Sequence, residues 1–470
     1  MHFLLITLIL VSTITSLAQS RRVNPAGLPV TAVAAELTVK QMFDEANGYT
    51  KAKFAEFEQK KTAFSERLRL QTEREQKQLA AKYATAAAIR PNLSGEDLYY
   101  VGLLQWIAEN LDGTTEFLKK YLESPDQRPD RQQNARSILV YVLAKQKTFD
   151  DALKYLADYE SGGTIKMSDR WRMNSELAKS YIATKDFTKA ATHAGKSYDA
   201  AKALVQDSTS KLNAADAVLD AGMLLFETHR DSGNVKDADA ALEDMRKTAS
   251  AINSPTFFYY SADKLITYQI ETGRKALGMD TYLAMLIQAG KVFAGKGTQN
   301  DALQKLKRRE KQYKLLMQPA PELVGIDQWF PGSPKTLASL KGRVVLLDFW
   351  ATWCGPCFDA FPSLAEWHQD LTRDGLTIVG VTRYYGRAEG FTVDNPNEIA
   401  FLKRFKEKYN LGYDFAVANA PDTQNLYAAT SLPTAVVIDR KGVIRYIESG
   451  TNPSRIEEMR ATILKLLAEK

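Results

Sequence analysis

The spacing of apolar residues changes once along the chain. From about Val39 to Met317 they recur at steps of three and four. Ile138-Leu139-Val140-Tyr141-Val142-Leu143-Ala144, followed after a short break by Phe149-Asp150-Asp151-Ala152-Leu153, is one example. That period fits amphipathic helices, and no strand-like alternation interrupts it. A boundary follows at Pro319, Pro321, Pro331 and Pro334, because proline ends helices and stiffens connections. Beyond it lie short dense apolar runs. They predict strands near Val344–Phe349, Thr377–Val381, Thr434–Ile438 and Val443–Glu448. Helices are predicted from about Pro356 to Arg373, Asn397 to Tyr409 and Pro453 to Ala468, and Asp439-Arg440-Lys441-Gly442 is predicted as a hairpin turn. The expected architecture is an all-α region followed by an α/β domain with a central mixed sheet flanked by helices.

The helical region repeats. Leu177-Ala178-Lys179-Ser180-Tyr181-Ile182-Ala183, then Phe187-Thr188-Lys189-Ala190, copies the pattern around Phe149. Leu111, Phe149 and Phe187 stand 38 residues apart, and a looser copy runs from Met223 to Ala238. The pattern resembles degenerate tetratricopeptide-type helical repeats, although most of their usual Trp, Gly and Pro positions are absent. Two readings stand: a concave surface for a client protein or peptide, or a helical bundle acting as a spacer. Lys51 to Lys82, rich in Lys, Glu, Gln and Ala, predicts a long solvated helix, perhaps folded as a hairpin. The basic run Lys305-Leu306-Lys307-Arg308-Arg309-Glu310-Lys311 fits a solvated helix face or a membrane-surface contact.

The N-terminus differs from both regions. Phe3 to Leu17 is apolar apart from Ser and Thr, and Ser16 and Ala18 supply small residues for cleavage. The length suits a signal peptide over residues 1–18 and is short for a membrane span. Met1-His2 is a weak n-region, and Arg21 and Arg22 lie on the far side, so an uncleaved anchor is the alternative. With 470 residues the chain is long enough for two or three domains. Its formal net charge of +6 is small and the signs are interspersed, which argues against nucleic acid as a partner.

Cys354 and Cys357 are the only cysteines, and they fall in Trp353-Cys354-Gly355-Pro356-Cys357 directly after the run Val344–Trp350. Cysteines three apart at a helix start lie within one turn, close enough to bridge. The free N–H groups and dipole of a helix N-terminus stabilise a thiolate, which makes Cys354 the candidate nucleophile. Cys357, one turn further in, is the candidate resolving thiol. Pro356 suits a first helical turn, and Gly355 lets a partner chain approach. Zinc would need about four ligands. No second cysteine pair exists, and His2, His193, His229 and His368 show no ligand spacing; His368 is expected at the surface. Asp348 lies in an apolar run six residues before Cys354. As a buried carboxyl it could relay a proton to or from Cys357; the alternative is a solvent-facing strand residue.

Leu347-Asp348-Phe349-Trp350-Ala351-Thr352-Trp353-Cys354-Gly355-Pro356-Cys357 resembles the thioredoxin active-site segment. Pro319–Leu323, Leu340–Val344, Ser431-Leu432-Pro433-Thr434 and Val436–Ile444 extend the resemblance to the TlpA/ResA-like (redoxin) branch over about the last 150 residues. The resemblance implies a thioredoxin-like fold for 318–470. It implies a cis Pro433 beside the cysteines, and substrate contacts from Trp353, Gly355, Pro356, Leu432 and Pro433. Many of that branch have Asn at the position of Asp348, and thioredoxin's partner lysine aligns with Gly380. The segment from about Arg383 to Asn397 is an insertion of the kind that branch carries; it either shapes partner choice or is an inert loop. Peroxiredoxins carry a different cysteine setting, which argues against a peroxidase.

These signals divide the chain into 1–18 signal peptide, 19–317 helical repeats and 318–470 thioredoxin-like domain. The expected function is an exported thiol–disulfide oxidoreductase reducing protein disulfides, in a periplasm or on the outer face of a bacterial inner membrane. Electrons would come from a membrane thiol shuttle, and no cofactor beyond the Cys354–Cys357 pair is implied. The alternatives are a disulfide oxidase or isomerase, or a helical-repeat binding scaffold with an accessory redox domain.

Overall fold

The computed structural model describes residues 37–469 except 126, 207–210 and 294–298, so the expected signal segment lies outside the described residues. The chain divides into two compact units between Ile165 and Lys166. The first contains α1 (Val39–Gln59), α2 (Glu66–Ala88), α3 (Gly95–Ile107), α4 (Leu111–Glu123), α5 (Pro129–Lys145) and α6 (Phe149–Ser161). The Lys51–Lys82 stretch is indeed a hairpin, broken between Gln59 and Glu66, with Ser65 capping the second helix. The second unit opens with α7 (Met167–Ala183), α8 (Phe187–Gln206), α9 (Lys211–Asp231), α10 (Val235–Ala251), α11 (Pro255–Glu271), α12 (Lys275–Val292) and α13 (Gln299–Leu315).

One turn recurs through both sets of helices. Glu109, Lys147, Lys185, Gly233 and Gly273 all have positive φ. In each case the next N–H reaches a carbonyl five residues back: Asn110 to Gln105, Thr148 to Leu143, Asp186 to Tyr181, Asn234 to His229 and Arg274 to Gln269. This satisfies carbonyls that a helix end leaves unpaired. It also explains why Leu111, Phe149 and Phe187 all begin helices.

The rest of the second unit is a sheet with its own helices. The strands are β1 (Ile326–Phe330), β2 (Val344–Phe349), β3 (Leu376–Arg383), β4 (Arg387–Ala388), β5 (Phe391–Thr392), β6 (Asp414–Ala418), β7 (Thr434–Ile438) and β8 (Ile444–Ser449). Between them lie α14 (Gly355–Leu371), α15 (Asn395–Lys408) and α16 (Asp422–Leu426), and α17 (Pro453–Ala468) follows. Six strands form a sheet in the order β1-β6-β3-β2-β7-β8. β2, β3 and β6 are parallel, while β1, β7 and β8 pair antiparallel with their neighbours. This is the thioredoxin-like mixed sheet, preceded by helices. β1, β6 and the short α16 were not predicted, and the inserted segment carries the β4–β5 hairpin.

Alternation along β2 gives the sheet two different faces. Val344, Leu346 and Trp350 pack with Leu364 and Trp367 of α14, Leu402 and Phe405 of α15, and Ile463 and Leu466 of α17. Val345, Leu347 and Phe349 belong instead to a cluster continuous with the helices, from Tyr198 through Phe258 and Tyr282 to Tyr313 and Leu316. The chain leaving α13 also covers the β8 edge. Met317 N–H donates to Ile444 O at 2.8 Å, Ile444 N–H to Gln318 O at 2.9 Å, and Ala320 N–H to Gly442 O at 2.8 Å. The start of that strand edge is paired in this way, which leaves fewer of its N–H and C=O groups open.

Candidate functional site

β2 delivers the motif to one end of the sheet, and α14 starts from it. Cys354 is the N-cap of α14, and Pro356 sits in its first turn. Cys354 and Cys357 are joined by a disulfide, with Cα atoms 5.4 Å apart. Both are buried, while Trp353, Gly355 and Pro356 around them are exposed. Trp353 is 60% exposed, an unusual position for so large an apolar ring. The pair therefore lies at the bottom of a rim of residues that a partner chain could cover.

Thr434, the first residue of β7, stands opposite Phe349 at the end of β2. The preceding Leu432 and Pro433 consequently leave the sheet at the end that carries the cysteines. Their peptide bond is cis, as the resemblance implied. Leu432 packs against the apolar cluster that includes both cysteines.

Asp348 is 3% exposed, so the solvent-facing alternative is excluded. Its register partners are Gly380 on β3 and Ala435 on β7, neither of which offers a charge. Among the described residues its Oδ2 has no hydrogen-bond partner. Burial alone pushes its carboxyl up to about 7, because the charged form has lost its water without gaining a cation. Asp348 and Pro433 line the same narrow cavity, along with Ala360, Leu364 and Glu448.

The inserted segment adds residues that the sequence reading did not identify. The Tyr385 ring meets Trp353 edge-on, with centroids 5.4 Å apart and planes at 90°. The Arg383 guanidinium lies 4.3 Å from the Tyr385 centroid, and Gln424 bonds both, at 3.1 Å to each. The buried carboxylate of Glu398 accepts from the N–H groups of Tyr385 and Gly386, each at 2.9 Å, and so anchors the loop to α15. Of these, Arg383, Tyr385 and Gly386 fall in the Arg383–Asn397 insertion whose use the sequence left open, whereas Glu398 and Gln424 lie outside it.

His368 does not belong to this group. It is partly buried beside Gly412 and Tyr413, and burial lowers its pKa. Among the described residues no group of three His, Cys, Asp or Glu side chains could hold a metal.

Residues 318–463 match the redoxin family. The C-terminal third of the chain is a redoxin domain. The chain is 35% identical over 145 residues to the protein DipZ of Mycobacterium bovis, covering 30% of this chain and 19% of that one. It is 28% identical over 132 residues to the thiol-disulfide oxidoreductase ResA of Geobacillus kaustophilus, covering 28% of this chain and 68% of ResA. A thioredoxin-like superfamily protein of solved structure shares 26% identity with it. That match covers 32% of this chain and 97% of the other, with a TM-score of 0.28. The chain thus spans about a fifth of the DipZ relative.

Proposed function

We propose that the chain is an exported thiol–disulfide oxidoreductase that reduces protein disulfides through Cys354 and Cys357. The observation that carries this is the Cys354–Cys357 disulfide at the N-cap of α14, ringed by exposed Trp353, Gly355 and Pro356. In the reduced form the Cys354 thiolate attacks one sulfur of a substrate disulfide. The second sulfur leaves as a thiolate and takes a proton. Cys357 then loses its proton and attacks Cys354, which closes the protein disulfide and releases the substrate as a dithiol. Two electrons pass from the cysteine pair to the substrate.

Asp348 is assigned the proton traffic of Cys357. A buried carboxyl titrating near 7 can hold or release a proton at physiological pH, as general acid–base catalysis requires. Trp353, Gly355, Pro356, Leu432 and Pro433 are assigned to binding the substrate chain around its disulfide. Residues 318–470 carry this chemistry, and the helices before them are assigned to a client protein or peptide. The cysteine pair itself is the redox group, recharged by an electron-donating membrane thiol shuttle.

Two features of the sequence support export to a periplasm or the outer face of a bacterial membrane: the apolar Phe3–Leu17 segment, and cysteines confined to the redox pair. Among the described residues no helix is long and apolar enough to cross a membrane.

The test is turnover of a protein disulfide with dithiothreitol as donor. The full chain should accelerate reduction. Cys354→Ser should abolish it, and Cys357→Ser should accumulate a mixed disulfide through Cys354. Turnover that survives Cys354→Ser overturns the reading. The equilibrium potential fixes direction: about −250 mV or below fits a reductant, and above about −180 mV an isomerase or oxidant.

A further inference from the structure

Resting on that function, we infer that Gln312, on helix α13 and outside the redoxin domain, is a positioning residue for the substrate-binding loop Ser431-Leu432-Pro433. The side chain is 3% exposed and spans from the helices to the loop. Its Oε1 accepts from Arg309 Nη1, which fixes the orientation of the amide. Its Nε2 therefore points the other way, donating to Ser449 Oγ at 3.0 Å and to Ala428 O at 3.3 Å. Ser449 Oγ lies 2.8 Å from Thr434 Oγ1, and Thr434 Oγ1 donates to Ser431 O at 2.6 Å. The next residue, Gly450, donates its N–H to Pro433 O at 2.7 Å.

Proton counting gives this chain of bonds a direction. A hydroxyl has one proton to donate. Thr434 spends its proton on Ser431 O, so the bond between Thr434 and Ser449 must be donated by Ser449. Ser449 can then only accept from its other neighbour, and the group that supplies that donor is the Gln312 amide. A single run of bonds thus leads from Gln312 through Ser449 and Thr434 to the loop carbonyl.

Upstream, Arg309 is buried. It donates Nε to Asp263 at 2.9 Å, Nη2 to Glu448 at 2.6 Å and Nη1 to Ile447 O at 2.8 Å. The end of the run is therefore held rigidly by α11, α13 and β8. A helix that precedes the redoxin domain fixes the loop that grips substrate beside Cys354.

Gln312→Glu tests this. It keeps the size and the acceptor for Arg309, but has no N–H for Ser449. To bond the new carboxylate, Ser449 must turn its proton away from Thr434. Ser449→Ala breaks the same run at its centre. Each variant should raise KM for a protein disulfide about 3- to 10-fold, the scale of one hydrogen bond, with kcat changed less than about twofold. Amide exchange across residues 429–434 should quicken by a similar factor. Lys314→Ala, which removes an exposed pair with Glu310 on the same helix, should change neither. If Gln312→Glu is unfolded by circular dichroism, Ser449→Ala decides alone. Unchanged KM and exchange in the folded variants of an active wild type overturn the inference. A wild type unable to reduce any protein disulfide overturns the proposed function instead, while the exchange measurement still tests the hydrogen-bond run.

Discussion

Asp348 and Gly380 are register partners across the parallel β2–β3 ladder, and the absence of a side chain at Gly380 leaves the carboxyl without a cation. The space is already taken. A Cβ added to Gly380 would lie 3.0 Å from Trp350 Nε1 and 3.0 Å from the Phe415 ring. Trp350 also packs on Phe361, Phe405 and Phe415. The aromatic core under the motif thus excludes the very residue that would neutralise Asp348.

Asp348 should make stability depend on pH in a definite sense. Its folded pKa of about 7 lies above the ordinary value of 3.8, so the folded state binds the extra proton. Its contribution is most favourable below pH 3.8 and is lost as pH rises through 7. The gap corresponds to roughly 4 kcal/mol. Asp348→Asn in the disulfide form should match wild type near pH 3.5 and exceed it by up to about 4 kcal/mol at pH 8. Urea denaturation at several pH values measures this. A constant difference across that range would show that burial of the charge is not the cause. The same variant should slow closure of the Cys354–Cys357 disulfide from a mixed disulfide.

Gly380→Ala should destabilise the fold by about 1–3 kcal/mol, the usual cost of overpacking a filled core. Both of its nearest neighbours belong to rings held by other rings, so neither yields cheaply. Chemical denaturation with Trp350 fluorescence reports the change. Unaltered stability would mean that the ring stack can move.

Tyr385→Ala should weaken substrate capture without touching the cysteines. The edge-on contact with Trp353 belongs to a class worth about 0.5–1.5 kcal/mol, so kcat/KM for a protein disulfide should fall about 2- to 12-fold. The equilibrium potential of the cysteine pair should stay within about 10 mV, because the Tyr385 ring meets Trp353, Arg383 and Gln424. A changed potential with unchanged kcat/KM would reverse the assignment.

Arg309→Met should cost about 3–5 kcal/mol, because it leaves buried Asp263 and partly buried Glu448 without their shared cation. Arg455 lies 3.7 Å from Glu448 and compensates in part. Thermal or urea unfolding checks the value. A loss below about 1 kcal/mol would mean that these carboxyls are solvated or neutral in the folded chain.

The resemblance of the Leu347–Cys357 segment and the apolar runs around it located the redox site and four of the six strands of the main sheet. β1 and β6 were missed for different reasons. Asp327-Gln328-Trp329 alternates only weakly, and its hydrogen bonds come from Phe415–Ala418, about 90 residues away. Asp414-Phe415-Ala416-Val417-Ala418 is too short to separate from a helix end by period alone.

By itself, the sequence determined the local pattern: two cysteines one helical turn apart after an apolar run, an acid six residues upstream, and three helix starts 38 residues apart at Leu111, Phe149 and Phe187. These are short-range properties, set by residue type and period. The burial of Asp348 opposite Gly380 bears out the sequence alignment, whereas tertiary structure alone decided that Tyr385 stands against Trp353 and that Gln312 reaches the Ser431–Pro433 loop. Such contacts join residues 32 to more than 100 positions apart. They depend on which sheet face and edge each element covers, and a linear pattern of apolar residues gives the period of an element but not the partner it packs against.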